Sequence, residues 1–228
     1  MSESDHKQPV SAAPSSSGEP IATQAIEFGS ADSGEELERA ELYGLLARLW
    51  HAPPDAPLLQ QFAVAVTQAP ETGAYLEEPW RALVGTLRAC TVESAQAEYA
   101  DLFISTGRAE LFVNASFHVT GALNERPLID LRTDLAALGL ASSAPEGETE
   151  DHVAFVFEVM RYLIAGDDLA VCNLEQQRRF FRAHVQTWVG EPMCTSIEQH
   201  PRAHLYAALA RLTRAFIEVE TQAFDMIE

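Results

Sequence analysis

Apolar residues recur three and four positions apart along almost the whole chain after residue 33, the period of a helix that turns one face inward. Leu42, Leu45, Leu46, Leu49 and Trp50 mark the first such face, and Ser33 with Glu36 predicts an S-x-x-E capping box ahead of it. Pro53-Pro54 should stop that helix, and Asp55 can cap the next, which turns Leu58, Leu59, Phe62 and Val66 inward. A third face carries Leu76, Trp80, Leu83, Val84 and Leu87, and a fourth Ala95, Tyr99, Leu102 and Phe103. Later faces run through Leu128, Leu131, Leu135 and Leu138, then Val153, Val156, Phe157, Met160, Leu163 and Ile164. Phe180, Phe181, Val185 and Trp188 follow, with Asn173 and Gln176 as capping residues, and Leu205, Leu209, Leu212, Phe216 and Val219 form the last. Gly139 suits a C′ position. The pattern predicts an all-α fold: a compact multi-helix bundle of roughly eight to ten helices, with short connections that favour antiparallel neighbours.

Two stretches break the period. Residues 105 to 125 hold Gly107, Gly121 and the β-prone run Leu111-Phe-Val-Asn-Ala-Ser-Phe-His-Val-Thr. A single strand has no partner, so this reads as a loop with a short helix starting near Ser116. Residues 141 to 150 form a second, acidic loop. Residues 1 to 33 are rich in Ser, Ala, Pro, Gly and Glu without a sustained period, and read as a disordered acidic tail before a helical domain over 34–228.

Charge narrows the partners. The chain carries 15 Lys+Arg against 34 Asp+Glu, a net of −19, and Lys7 is its single lysine. Such a surface repels phosphate backbones and anionic lipid, so neither nucleic acid nor a stable membrane association is expected, and a cationic polypeptide segment is the better partner. Cys90, Cys172 and Cys194 are scattered, which suits a reducing compartment and suggests neither a zinc knuckle nor a disulfide framework. The start of the chain has no basic and apolar leader, and no apolar run reaches the ~18 residues of a membrane helix. A cytoplasmic location is expected.

The sharpest local feature is Glu148-Thr-Glu-Asp-His152, just ahead of an apolar helix. Carboxylates are stabilised at a helix N-terminus, so Glu148, Glu150 or Asp151 could serve simply as a cap. His152 beside Asp151 or Glu148 could be held charged or in a fixed tautomer. That pair could serve general-base chemistry, but no nucleophile elbow accompanies it. Two or three carboxylates in one loop also suit an arginine pair, which they accept in bidentate fashion. His200 and His204 are four apart with Pro201 between them and no further ligand nearby, so no metal site is expected. Arg178-Arg179 falls inside a helix and is no leader signal. No nucleotide fingerprint is present, and no cofactor is expected. The aromatic and leucine stripes read as core, although a few residues near the 105–125 loop could line a groove for an apolar segment.

Four blocks together resemble the TorD/DmsD/NarJ family of redox-enzyme maturation chaperones. Glu98-Tyr-Ala-Asp-Leu-Phe103 is similar to a "Y-x-x-L-F" helix end. Ala115-Ser-Phe-His-Val-Thr-Gly-Ala-Leu123 with Arg126-Pro-Leu-Ile-Asp-Leu-Arg132 is similar to "A-S-x-Y-L-T-G-x-L-M-x-x-P-L-x-x-L-R". Glu148-Thr-Glu-Asp-His152 with Glu158-Val-Met160 is similar to "E-P-x-D-H" and "E-x-M". Phe180-Phe-Arg-Ala-His184, Trp188, Leu205-Tyr206 and Glu220 are similar to "F-x-x-H-x-x-x-W … F-Y-x-x-L". The blocks run in family order over more than half the chain, and their spacing looks closest to the branch associated with formate dehydrogenases. Thr149 stands where the family usually has Pro, which implies a less rigid loop, and Asn114 and His118 stand where aromatics are common.

The resemblance implies a chaperone, not an enzyme. It implies binding to the twin-arginine signal peptide or the core of an immature molybdoenzyme catalytic subunit, before cofactor insertion and export. Carried over by motif, it implies peptide binding by Glu148, Asp151, His152, Leu102, Phe103 and Ser116. Two other readings stay open at this level: a small hydrolase using the Asp151–His152 pair, and a structural adaptor that binds no signal peptide. Monomer and domain-swapped homodimer are both compatible with the sequence, and so is weak nucleotide binding.

Overall fold

The computed structural model describes residues 34–64, 74–104, 109–141 and 148–226. The expected tail, Ser33 of the expected capping box, Val66, and parts of the two irregular loops lie outside them. Among the described residues there are ten α-helices and no β-strand. They are α1 (Glu35–His51), α2 (Ala56–Val64), α3 (Ala74–Ala89), α4 (Val92–Phe103), α5 (Ala115–Thr120), α6 (Arg126–Ala137), α7 (Val153–Ala165), α8 (Leu174–His184), α9 (Thr195–Glu198) and α10 (Leu205–Met226). The all-α expectation holds.

Several ends follow from local chemistry. Glu35, Glu36 and Glu38 crowd the first turn of α1, where the helix dipole favours them. Ala52 turns extended ahead of Pro53-Pro54 and ends the helix. Asp55 accepts the Leu58 N–H at 2.9 Å and so caps α2 as its position suggested. Asn173 likewise accepts from the Gln176 N–H at 3.1 Å ahead of α8. Gly139 sits at φ 71° beyond α6. There the Leu140 N–H reaches Leu135 O at 2.9 Å and the Gly139 N–H reaches Ala136 O at 3.1 Å, a Schellman ending.

Pro192 has a larger effect. It offers no N–H to the Trp188 carbonyl four residues back, and the Met193 N–H takes that carbonyl instead at 2.9 Å. The result is a π-helical turn over Val189–Cys194 between α8 and α9.

One hydrophobic cluster runs from Leu42 on α1 to Phe224 on α10. Helix α1 is buried on more than one face, because it packs against α7 and also meets α10. Gly44 permits the crossing: a Cβ there would lie 3.0 Å from Cδ of Arg161 on α7. Helix α10 packs in turn on α3, the π turn and α9. In the α1–α10 seam Arg39 donates to both oxygens of Glu220, at 2.9 and 2.8 Å, and the Tyr43 hydroxyl adds a third bond at 3.0 Å. The guanidinium also lies 5.6 Å from the Phe224 ring centre. All four side chains are buried. None of the described helices is long and apolar enough to cross a membrane.

Candidate peptide-binding site

The β-prone run before α5 does find a partner, contrary to the sequence reading, and the partner is the acidic motif itself. The Val153 N–H donates to Val113 O at 2.8 Å, and the Ala115 N–H donates to Asp151 O at 2.8 Å. Asn114 and His152 thereby form one isolated antiparallel bridge. Two hydrogen bonds are too few for a strand, so helices α5 and α7 each start directly from the bridge. A contact between residues 38 apart in the chain leaves no local signature, which is why periodicity missed it.

The bridge places Asp151 under the first turn of α5. Its side chain is fully buried. One oxygen accepts the Ser116 N–H at 2.8 Å, and the other accepts from the Thr149 hydroxyl and from Asn114 Nδ2 at 3.3 Å. Burial pushes this carboxyl up, but the bonds from Ser116, Thr149 and Asn114 outweigh it and hold the pKa below the ordinary 3.8. Asn114 Nδ2 also donates to the Thr149 hydroxyl at 3.2 Å. The two departures from the family pattern are thus bonded to each other and to the aspartate, and hydrogen bonds stand where a proline would have stiffened the loop. Ser116 is buried as well, and its hydroxyl accepts the Glu125 N–H at 3.2 Å. The third departure, His118, stacks on Trp188 with ring centres 5.8 Å apart and bonds to Phe112 O at 2.8 Å.

None of the three acids caps α7. His152 does, with Nδ1 accepting the Ala154 N–H at 3.1 Å. The proton of the neutral ring therefore sits on Nε2. Desolvation, aided by His51, lowers the His152 pKa to about 4 against the opposing pull of Asp151. Near neutral pH the ring is therefore uncharged, in the tautomer that the Ala154 bond fixes, and it takes up a proton only as pH falls toward 4. With Asp151 committed to α5 and His152 Nδ1 to α7, the general-base pair that a hydrolase would need is not assembled.

The acids are also parted from each other. Glu150 binds Arg132 of α6 at 2.8 Å and is largely covered. Glu148 alone reaches the surface, 42% exposed and 3.5 Å from the equally open His51 imidazole. The Tyr99 hydroxyl bonds to His51 O at 2.8 Å, and the Tyr99 and Phe103 rings lie 5.2 Å apart, both half-buried. Glu148 lies near enough to Tyr99 to help burial raise its pKa to about 12. Leu102 is buried one residue earlier and bonds through its carbonyl to the Leu111 N–H at 3.1 Å. Of the six expected residues, Glu148 is open to a ligand and Phe103 and His152 partly so, while Asp151, Ser116 and Leu102 are buried.

Two contributors escaped the sequence reading. His51, at the end of α1, stands beside Glu148 at the open edge of the site, here called the lip. Glu98, the first residue of the first block, caps α10: its carboxylate accepts the N–H groups of His204, Leu205 and Tyr206 at 2.8, 3.1 and 3.0 Å. An acid just before the aromatic end of α4 was the available signal, but its target lies over 100 residues away.

Fold and site together define an all-helical protein whose polar loop is braced from within and presents an acid beside aromatics. A solved structure from Archaeoglobus fulgidus, described as a redox enzyme maturation protein, shares this fold: TM-score 0.51 over 79% of this chain and 93% of that one, at 21% identity. Residues 69–193 match the family described as nitrate reductase delta subunit, and the chain belongs to that family, which includes TorD and NarJ. It is 29% identical over 138 residues to the chaperone protein TorD of Vibrio cholerae serotype O1, covering 57% of this chain and 61% of the relative. It thus spans about three-fifths of the length of that relative. It is 26% identical to the TorD of Vibrio atlanticus over 81% of this chain and 94% of that protein.

Proposed function

We propose that this protein is a maturation chaperone that binds the twin-arginine signal peptide of an immature molybdoenzyme catalytic subunit and performs no catalysis. A cytoplasmic formate dehydrogenase precursor is the client class that the block spacing favours. The observation that carries the reading is the exposed Glu148 carboxylate next to the half-buried Tyr99 and Phe103 rings. A guanidinium finds there both an ionic acceptor and an aromatic face. Membership of the family and the similarity to TorD chaperones support a molybdoenzyme precursor as the client. Asp151, Ser116 and Leu102 serve as the rigid support of this lip, and Glu148, His152 and Phe103 as its contact side.

The test is a titration of a synthetic peptide with an Arg-Arg pair ahead of about ten apolar residues. The native protein should bind it, and Glu148→Lys should weaken binding about tenfold without changing the melting temperature, since the side chain is exposed. Equal affinity of the two proteins would remove Glu148 from the site. Recovery of only assembled, exported complexes in pull-downs would favour the adaptor reading.

A further inference from the structure

A separate cleft opens between α5, α6, α7 and α8. Its volume is about 260 Å³. Leu131, Val156 and Trp188 form a buried apolar floor, and Val119 of α5 stands at the mouth, 55% exposed. Asp130 and Asp134 line one side from successive turns of α6. A smaller hollow of about 80 Å³ continues past Asp134 between α6 and α8, bounded by Phe180 and Arg179. Asp134 accepts from Arg179 at 3.3 Å and meets His184 Nε2 at 2.8 Å, while Asp130 pairs with Arg126 at 3.0 Å.

The volume falls short of the roughly 300–1,000 Å³ typical of small-molecule sites, and the cleft is open along one side. An apolar floor beside carboxylates suits peptide side chains better. We propose that this cleft is a second docking surface, taken by a client segment in which an arginine neighbours a large apolar residue. The apolar side chain fills the space over Trp188, and the guanidinium pairs with Asp134. The inference rests on the client-binding reading above but names a different surface.

Charge complementarity selects this occupant. The acidic groups that line the cleft are the two carboxylates, Asp130 and Asp134, and among the described residues no lysine or arginine lines it. The nearby cations, Arg126 and Arg179, are 80% and 66% exposed, and water screens ion pairs held by such open side chains, so they add little to stability. Arg179 therefore marks Asp134 as an acceptor of guanidinium and yields it at little cost. The cleft is tied to the lip mechanically, because its α5 wall begins at Ala115 and is held by Asp151.

The test measures anisotropy of the same labelled Arg-Arg peptide against variants altered only at exposed positions. Val119→Asp should weaken binding about tenfold by placing a charge over the apolar mouth. Arg179→Ala should tighten it about threefold by freeing Asp134. If both bind as the native protein does while Glu148→Lys weakens binding, the cleft is overturned and the lip survives. If the native protein binds no peptide, the chaperone reading falls and the cleft with it. If Val119→Asp instead breaks a self-association seen in sedimentation and leaves peptide affinity unchanged, the occupant is a second copy and the proposal is overturned.

Discussion

The α1–α10 seam and the bridge between residues 113–115 and 151–153 each bury a carboxylate, but they hold it in opposite ways. Glu220 faces a cation, Arg39, with Tyr43 in support. Asp151 faces only neutral donors: one backbone N–H, one hydroxyl and one amide. The first arrangement locks two long helices that are already buried against apolar neighbours. The second orients a six-residue helix that could not hold itself. A buried ion pair in the seam thus secures the scaffold, and a solvated-looking acidic motif turns out to secure the start of α5 from beneath.

The largest expected effect comes from breaking the first. Glu220→Gln strips Arg39 of its buried counter-charge and leaves it only the exposed Glu36, 2.7 Å away, and such a loss costs about 3–5 kcal/mol. The melting temperature should fall by roughly 10 °C or more in a domain of this size. A shift under about 3 °C would mean that the seam tolerates the loss of its buried carboxylate charge, with Glu36 alone holding Arg39, and the contrast with Asp151 would lose its meaning.

Next comes acid lability from His152. Its folded pKa of about 4 lies below the ordinary 6.5, so the unfolded chain takes up the proton first. Its contribution is full above pH 6.5 and is lost progressively as pH falls toward 4. The slope approaches 1.4 kcal/mol per pH unit and the total about 3 kcal/mol. Chemical denaturation between pH 7 and 4 should show this fall, and His152→Asn, which can keep the cap, should flatten it. Asp151 acts in a lower window. Its folded pKa is depressed, so its contribution is present above the ordinary 3.8 and disappears only as pH drops through the lower folded value.

Asp151→Ala should cost about 1–3 kcal/mol, because it strands the Ser116 N–H in a buried place. Peptide affinity should fall too, through a loosened α5 and not through a lost contact. Amide exchange at residues 115–120 measures this: faster exchange there with the α1–α10 seam unchanged is the expected pattern. Uniform acceleration would place Asp151 in the global scaffold alongside Glu220.

The two regions also differ in how far the sequence reveals them. The seam is legible because Leu42, Leu45, Leu46, Leu49 and Trp50, like Leu205, Leu209, Leu212 and Phe216, repeat at the helical period, and all are buried. Asn173, Asp55 and Gly139 act as read because caps are local. The lip is legible only as a motif. Its physical arrangement depends on Val113 meeting Val153 and on Glu98 meeting His204, contacts between residues distant in the chain. Composition could say that acids cluster at residues 148–151. It could not say that one is exposed, one is paired with Arg132 and one is buried under α5.

The smallest expected effect tests whether the bonds around Asp151 act together. Thr149→Val removes a hydroxyl that donates to Asp151 and accepts from Asn114, and Asn114→Ala removes the other side-chain donor. Each should cost about 1 kcal/mol, since the Ser116 N–H remains in place. Because both act on one carboxylate oxygen, the double variant should depart from additivity by about 0.5 kcal/mol or more. Each variant should also raise the Asp151 pKa and move its acid loss to higher pH, because fewer bonds then oppose desolvation. Strict additivity, with no change in acid behaviour, would show that Thr149 and Asn114 merely fill space, and that the backbone bridge alone holds the loop where the family uses a proline.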